Sequence, residues 1–121
     1  MPILIVDDYN TMIRILRNLL RQLGFSNIDE ASDGRTALTK LRTKEYALVI
    51  SDSSMAPMSG LELLQRLRAD ERTAATPFVM VANDAEADAN AATRAGASSY
   101  IVKPFNAQTL KTKLVGVFGA F

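Results

Sequence analysis

The chain is predicted to fold as one α/β domain, a (βα)5 sandwich in which five parallel strands make a doubly wound sheet. Three observations predict it. Short apolar runs alternate with longer amphipathic stretches five times in 121 residues. The segments left between them are only a few residues long, as strand–helix units require. Hydrophobic residues at 48% and charged residues at 22% are ordinary for a globular core and argue against disorder. A β-α-β series implies right-handed crossovers with helices on both faces of the sheet. No linker, repeat or low-complexity segment interrupts it, so residues 1–121 are expected to form a single domain.

Each element has its own signal. The apolar run Ile3–Val6 reads as a buried strand. Met12, Leu16, Leu19, Leu20 and Leu23 follow at helical spacing, with Arg14, Arg17 and Arg21 as the solvated face, Asn10 as cap and Gly24 as stop. Residues 27–31 are a weaker second strand, and Asp33 precedes a helix carrying Ala37, Leu38 and Leu41. Residues 47–51 are the third strand, followed by a helix opened by Ser59 or Gly60 and turned inward at Leu61, Leu64 and Leu67. Residues 77–81 are the fourth strand; residues 84–95 form an Ala-rich helix with Ala85, Ala89, Ala92 and Ala95 packed closely, ended by Gly96. Its acids, Asp84, Glu86 and Asp88, lie near its N-terminus, where the macrodipole favours them. Ser99–Val102 is the fifth strand, and residues 106–117 the last helix, with Leu110, Leu114 and Val117 inward.

Composition removes many chemistries. Without Cys there is no disulfide, thiol nucleophile or Cys-based zinc site. Without His there is no imidazole base or Ser-His-Asp triad. Fourteen Lys and Arg against thirteen Asp and Glu leave +1, so no polyelectrolyte partner is demanded. No recognition helix for nucleic acid is evident. No apolar run is long enough to span a membrane, and the N-terminal run is too short for a signal peptide, so the expected location is the cytoplasm.

Open parallel sheets bind ligands beyond the carboxyl ends of their strands, where strand order reverses. There the first strand ends in Asp7-Asp8, the third in Asp52 and the fifth in Lys103. One Asp at a strand end is explained as a turn former; three together are not. At ~5 Å and an effective dielectric of ~20, each carboxylate pair costs ~3 kcal/mol. A divalent cation removes that repulsion, and Mg²⁺ suits few carboxylates and several waters. Lys103 adds a positive charge for an incoming anion. The cluster reads as a metal site built for a phosphoryl group, with Asp52 as acceptor and Asp7 and Asp8 as metal ligands.

These residues lie in segments that resemble the response-regulator receiver family. Val6-Asp7-Asp8, Glu30-Ala31-Ser32-Asp33-Gly34, Ser51-Asp52-Ser53-Ser54-Met55, Gly60-Leu61-Glu62-Leu63-Leu64 and Ile101-Val102-Lys103-Pro104-Phe105 occur in the family's order and spacing. The chain is most similar to the single-domain, CheY-like receivers of chemotaxis, and the resemblance covers essentially all of it. It implies strand order 2-1-3-4-5, shared with flavodoxin-like folds. It implies Asp52 as phosphoacceptor, Mg²⁺ held by Asp7, Asp8, Asp52 and the backbone carbonyl of Ser54, and Lys103 paired with a phosphoryl oxygen. Tyr100 matches the aromatic whose rotamer reports activation, and Lys103-Pro104 the family's cis peptide. Ser54 and Asp84 occupy positions that tune dephosphorylation.

The chain also departs from the family. Ala82 stands where a Thr or Ser hydroxyl moves to bond the phosphate, and Asn83 is the nearest substitute donor. The segment from Pro77 to Gly96 is one residue shorter than in the chemotaxis protein, and Ala56-Pro57 displaces the usual proline by one. The resulting expectation is a stand-alone, monomeric receiver, not an enzyme beyond its own phosphorylation and dephosphorylation, and without an output domain. Its partners would be a sensor histidine kinase or phosphotransfer protein, and an output protein on the face of the fourth helix, fifth strand and fifth helix. A phosphate sink or weakly switching receiver is the alternative that Ala82 suggests. From other classes come a Mg²⁺-dependent phosphatase, which would need a separate acid, and a flavin-binding domain, which Asp7-Asp8-Tyr9-Asn10 opposes by repelling phosphate.

Overall fold

A computed structural model describes residues 1–83 and 87–119. Five strands, β1 (Ile3–Val6), β2 (Ile28–Ala31), β3 (Leu48–Asp52), β4 (Phe78–Ala82) and β5 (Ser99–Val102), alternate with five helices. The helices are α1 (Asn10–Gln22), α2 (Gly34–Thr43), α3 (Gly60–Ala69), α4 (Ala87–Arg94) and α5 (Ala107–Phe118). All strands are parallel, in the order β2-β1-β3-β4-β5, as the resemblance implied.

The chain steps from β1 to β2 in one direction and then from β2 through β5 in the other. Right-handed crossovers therefore put α1 on one face and α2, α3 and α4 on the other, and α5, after the last strand, returns to the face of α1. Side chains alternate along β1 accordingly. Ile3 and Ile5 join Ile13, Leu16 and Leu20 of α1 and Leu110 and Leu114 of α5 in one core. Leu4 and Val6 join Ala37 and Leu41 of α2, Leu63, Leu64 and Leu67 of α3, and Ala92 of α4 in the other. Val117 and Leu38 are half-buried against these cores, and Ala95 packs beside Ala92.

Several elements differ from expectation by a residue. β3 runs to Asp52 and β4 to Ala82, because Asp52 pairs with Val81 and the Ser53 N–H continues the ladder to the Val81 carbonyl at 2.9 Å. β2 begins at Ile28. The position before α1 is Tyr9, not Asn10, and no side chain caps that helix. Asp33, Ser59 and Asn106 do cap, accepting from the N–H groups of Thr36, Glu62 and Thr109. Leu61 is half-buried and Leu63 takes the inward place beside Leu64. Arg17 is half-buried and pairs with Glu30, rather than standing in solvent like Arg14 and Arg21. Gly24 and Gly96 end α1 and α4 at φ of +99° and +96°, a conformation that a side chain would resist. Asp84, Ala85 and Glu86 lie outside the described residues. Among the described residues no helix is long and apolar enough to cross a membrane.

Candidate functional site

The site is built where strand order reverses, between β1 and β3. Val6 and Ser51 are ladder partners, so the next residues along the two strands, Asp7 and Asp52, lie side by side at the carboxyl edge of the sheet. Both are buried: 1% of Asp7 and 5% of Asp52 is exposed. Asp8 is exposed. One carboxylate oxygen from each of Asp7, Asp8 and Asp52 lies within 4.8 Å of the others. Lys103 follows β5, and its backbone N–H donates to the Ala82 carbonyl at 2.9 Å. Its Nζ reaches across the end of β4 to Asp52 Oδ1, 3.0 Å away.

The electrostatics are uneven. Asp7 Oδ1 accepts from the Tyr9 N–H at 2.9 Å, while Oδ2 is buried with no hydrogen-bond partner. Burial above all pushes the Asp7 carboxyl up to about 6; the neighbouring Asp52 and Asp8 charges add to the rise, and the Tyr9 N–H and Lys103 oppose it. The equal repulsion expected among three acids is therefore not what the fold provides. Asp8 is exposed to solvent and Asp52 pairs with Lys103, so the least compensated group is Asp7. An orphaned carboxylate oxygen inside an all-oxygen donor set fits a hard divalent cation such as Mg²⁺.

Other expected site residues are placed as follows. Ser54 is exposed, two residues past Asp52 in the turn before α3. Ala82 is fully buried at the end of β4, and Asn83 is exposed. Tyr100 is half-buried against the core shared by α2–α4, with Lys113 Nζ of α5 4.6 Å from its ring centroid. The Lys103–Pro104 peptide is cis, as is Ala56–Pro57. Asp84 falls outside the described residues.

Two contributors were not singled out from sequence. Gly60 reads from the sequence as a possible helix opener and as part of a family segment, and in the fold its backbone sits against Asp52: a Cβ there would lie 2.1 Å from the Asp52 carbonyl oxygen. Its N–H also donates to the Ser53 carbonyl at 3.1 Å. The Asp52–Gly60 spacing held that signal, but only the turn shows its use. Arg68 donates to the carbonyls of Gly96 at 3.0 Å and Thr76 at 2.7 Å, tying α3 to the segment that follows α4.

A sheet of this order, with acids at the switch point and a Lys after β5, defines a protein class. The family model of the response regulator receiver domain matches residues 3–115, and the chain belongs to that family. Within it, the chain is 48% identical to the chemotaxis protein CheY of Pseudomonas aeruginosa, over 98% of this chain and 96% of that one. It is also 48% identical to the chemotaxis protein CheY-3 of Vibrio cholerae, over 98% and 92%. Among solved structures, chemotaxis protein CheY4 of Vibrio cholerae superposes with a TM-score of 0.88 at 30% identity, over 97% of this chain and 98% of that one. A response regulator from Chloroflexus aurantiacus gives 0.91 at 28% identity, over 99% and 100%.

Proposed function

We propose that this CheY-like receiver accepts a phosphoryl group on Asp52 from the phosphohistidine of a sensor histidine kinase or phosphotransfer protein, and signals onward by protein–protein contact. One observation carries the reading. A buried carboxylate, Asp52, stands 3.0 Å from the Lys103 ammonium and beside Asp7, whose buried Oδ2 has no partner.

The chemistry uses few groups. An Asp52 oxygen forms the bond to phosphorus as the donor's P–N bond breaks, and the electron pair leaves on the imidazole nitrogen, which takes its proton from solvent. Lys103 holds the Asp52 carboxylate and is positioned to donate to a phosphoryl oxygen after transfer. Asp7, Asp8, Asp52 and the Ser54 carbonyl would hold Mg²⁺, which when bound neutralises the crowded carboxylates and the charge on the transferring oxygens. The chain's own chemistry is then confined to gaining and losing that group, which distinguishes it from a phosphatase acting on separate substrates. Ser54 and Asp84 would tune the loss, and the surface of α4, β5 and α5 would meet the output protein as a monomer.

Ala82 favours a narrower version of this reading. A fully buried methyl at the end of β4 cannot donate to a phosphate, so the step from Asp52 to Tyr100 lacks one hydrogen bond. The protein is on this reading a weakly switching receiver or a phosphate sink.

The test is direct. With Mg²⁺ and acetyl phosphate, intact-mass analysis is expected to show one acid-labile phosphoryl group, absent in Asp52→Asn. Full labelling of that variant would place the acceptor elsewhere.

A further inference from the structure

We propose that Tyr9 is a donor-recognition residue, a stacking platform for the imidazole ring that delivers the phosphoryl group. This rests on Asp52 as acceptor and goes beyond it, because it concerns which donor is favoured.

Tyr9 is an unusual tyrosine. Its class normally packs its ring and wets only the hydroxyl, yet Tyr9 is 61% exposed. Its backbone, in contrast, is held firmly. The N–H donates to Asp7 Oδ1 at 2.9 Å, and the carbonyl accepts from Met12 and Ile13 at 3.1 and 3.2 Å as α1 begins. The ring itself has no hydrogen bond or ring contact among the described residues. The fold thus spends order on fixing the base of this side chain beside the acids and leaves its aromatic face open.

The rest of the rim cannot do the same work. Besides Tyr9, the described exposed residues in the loops that follow β1, β3, β4 and β5 are Asp8, Ser54, Ala56, Pro57, Asn83, Pro104 and Asn106. None is aromatic, so Tyr9 is the one π-face those exposed positions offer. The leaving group of a phosphohistidine is a heteroaromatic ring that gains a proton as the P–N bond breaks. A tyrosine face favours such a ring by offset stacking, whether it is still phosphorylated or already the neutral imidazole. The contact holds the donor ring beside the acids, which raises the transfer rate at donor concentrations below saturation.

The experiment compares two small donors on the full chain with Mg²⁺: N-phosphoryl imidazole, which carries the ring, and acetyl phosphate, which does not. Initial rates of Asp52 phosphorylation are measured for wild type, Tyr9→Phe and Tyr9→Leu. Tyr9→Leu is expected to lower the imidazole-to-acetyl rate ratio about three- to tenfold, while Tyr9→Phe keeps it. An unchanged ratio in Tyr9→Leu overturns the proposal, and so does an equal loss with both donors. A phosphoryl group retained by Asp52→Asn would instead strike the acceptor assignment, so the two failures are separable.

Discussion

Gly60 and Asp52 touch backbone to backbone: the position a Gly60 Cβ would occupy lies 2.1 Å from the Asp52 carbonyl oxygen. The first turn of α3 is thereby packed under the residue proposed to receive the phosphoryl group, and the Gly60–Ser53 hydrogen bond closes that turn at 3.1 Å. Gly60→Ala must push α3 away or twist the turn, because a backbone oxygen cannot rotate aside as a side chain does. It is expected to cost about 2–3 kcal/mol and to slow phosphorylation as well. Urea midpoints and acetyl phosphate rates check both. Wild-type values for each would mean that the turn yields without consequence.

Stability should fall as pH rises through the range set by Asp7. Its carboxyl sits at about 6 in the folded protein, against 3.8 when unperturbed, because it is buried. Between these values the folded state binds a proton that the unfolded chain releases, so acidification from pH 6 towards 4 stabilises. The full effect is at most about 3 kcal/mol. Asp29, Asp33 and Asp70 work in the opposite direction at lower pH. Their carboxyls are held down by Tyr46, the Thr36 N–H and Arg72 respectively, and that stabilisation is lost as pH falls below about 4. Asp7→Asn is expected to flatten the upper limb, read by denaturant titrations at several pH values without divalent ions. A limb that persists in Asp7→Asn would assign it to another group.

Mg²⁺ should raise Tm at neutral pH, since it binds the native acid cluster and not the unfolded chain. The two ligands of β1's end should then separate. Asp7→Asn removes the buried, partly orphaned carboxylate and should stabilise the metal-free protein. Asp8→Asn removes an exposed charge, so it should weaken Mg²⁺ binding while changing metal-free stability by less. Calorimetric titration and thermal melts of both variants decide it. A metal-free Asp7→Asn protein less stable than wild type would contradict the account of burial given above.

Restoring a hydroxyl at the end of β4 should strengthen switching. A hydrogen bond to a charged group contributes about 1.5–3 kcal/mol, or ~10–150-fold in a conformational equilibrium. Beryllofluoride is expected to shift resonances around Tyr100 modestly in the wild type and more in Ala82→Thr. Transfer to Asp52 should continue in both, because Lys103 is held by the backbone carbonyl of residue 82 and not by its side chain. A large wild-type response unchanged by Ala82→Thr would show that another group, Asn83 first, supplies the bond.

The sequence by itself determined the order of elements, the sheet and the chemical inventory. Alternation of apolar runs with helical spacing identified ten elements, and Asp33 and Ser59 marked helix starts by local chemistry that needs no distant partner. Asp7, Asp8, Asp52 and Lys103 were legible together because each ends a strand and strand ends share one edge. Boundaries set by the ladder were not legible. β3 and β4 run one residue further because Asp52 and Val81 pair across strands, a fact about two segments at once.

Tertiary structure alone decided how the acids differ. In sequence Asp7 and Asp8 are equivalent neighbours; in the fold one is buried with an unpartnered oxygen and the other faces solvent. The Val6–Ser51 register and the chain's exit from β1 produce that split, and Lys103 arrives 51 residues away to neutralise Asp52. The use of Gly60 and the exposure of Tyr9 belong to the same level. Local sequence can state what a residue is able to do, but desolvation and close approach depend on which other segments are packed against it, and those energies exist only once the chain is folded.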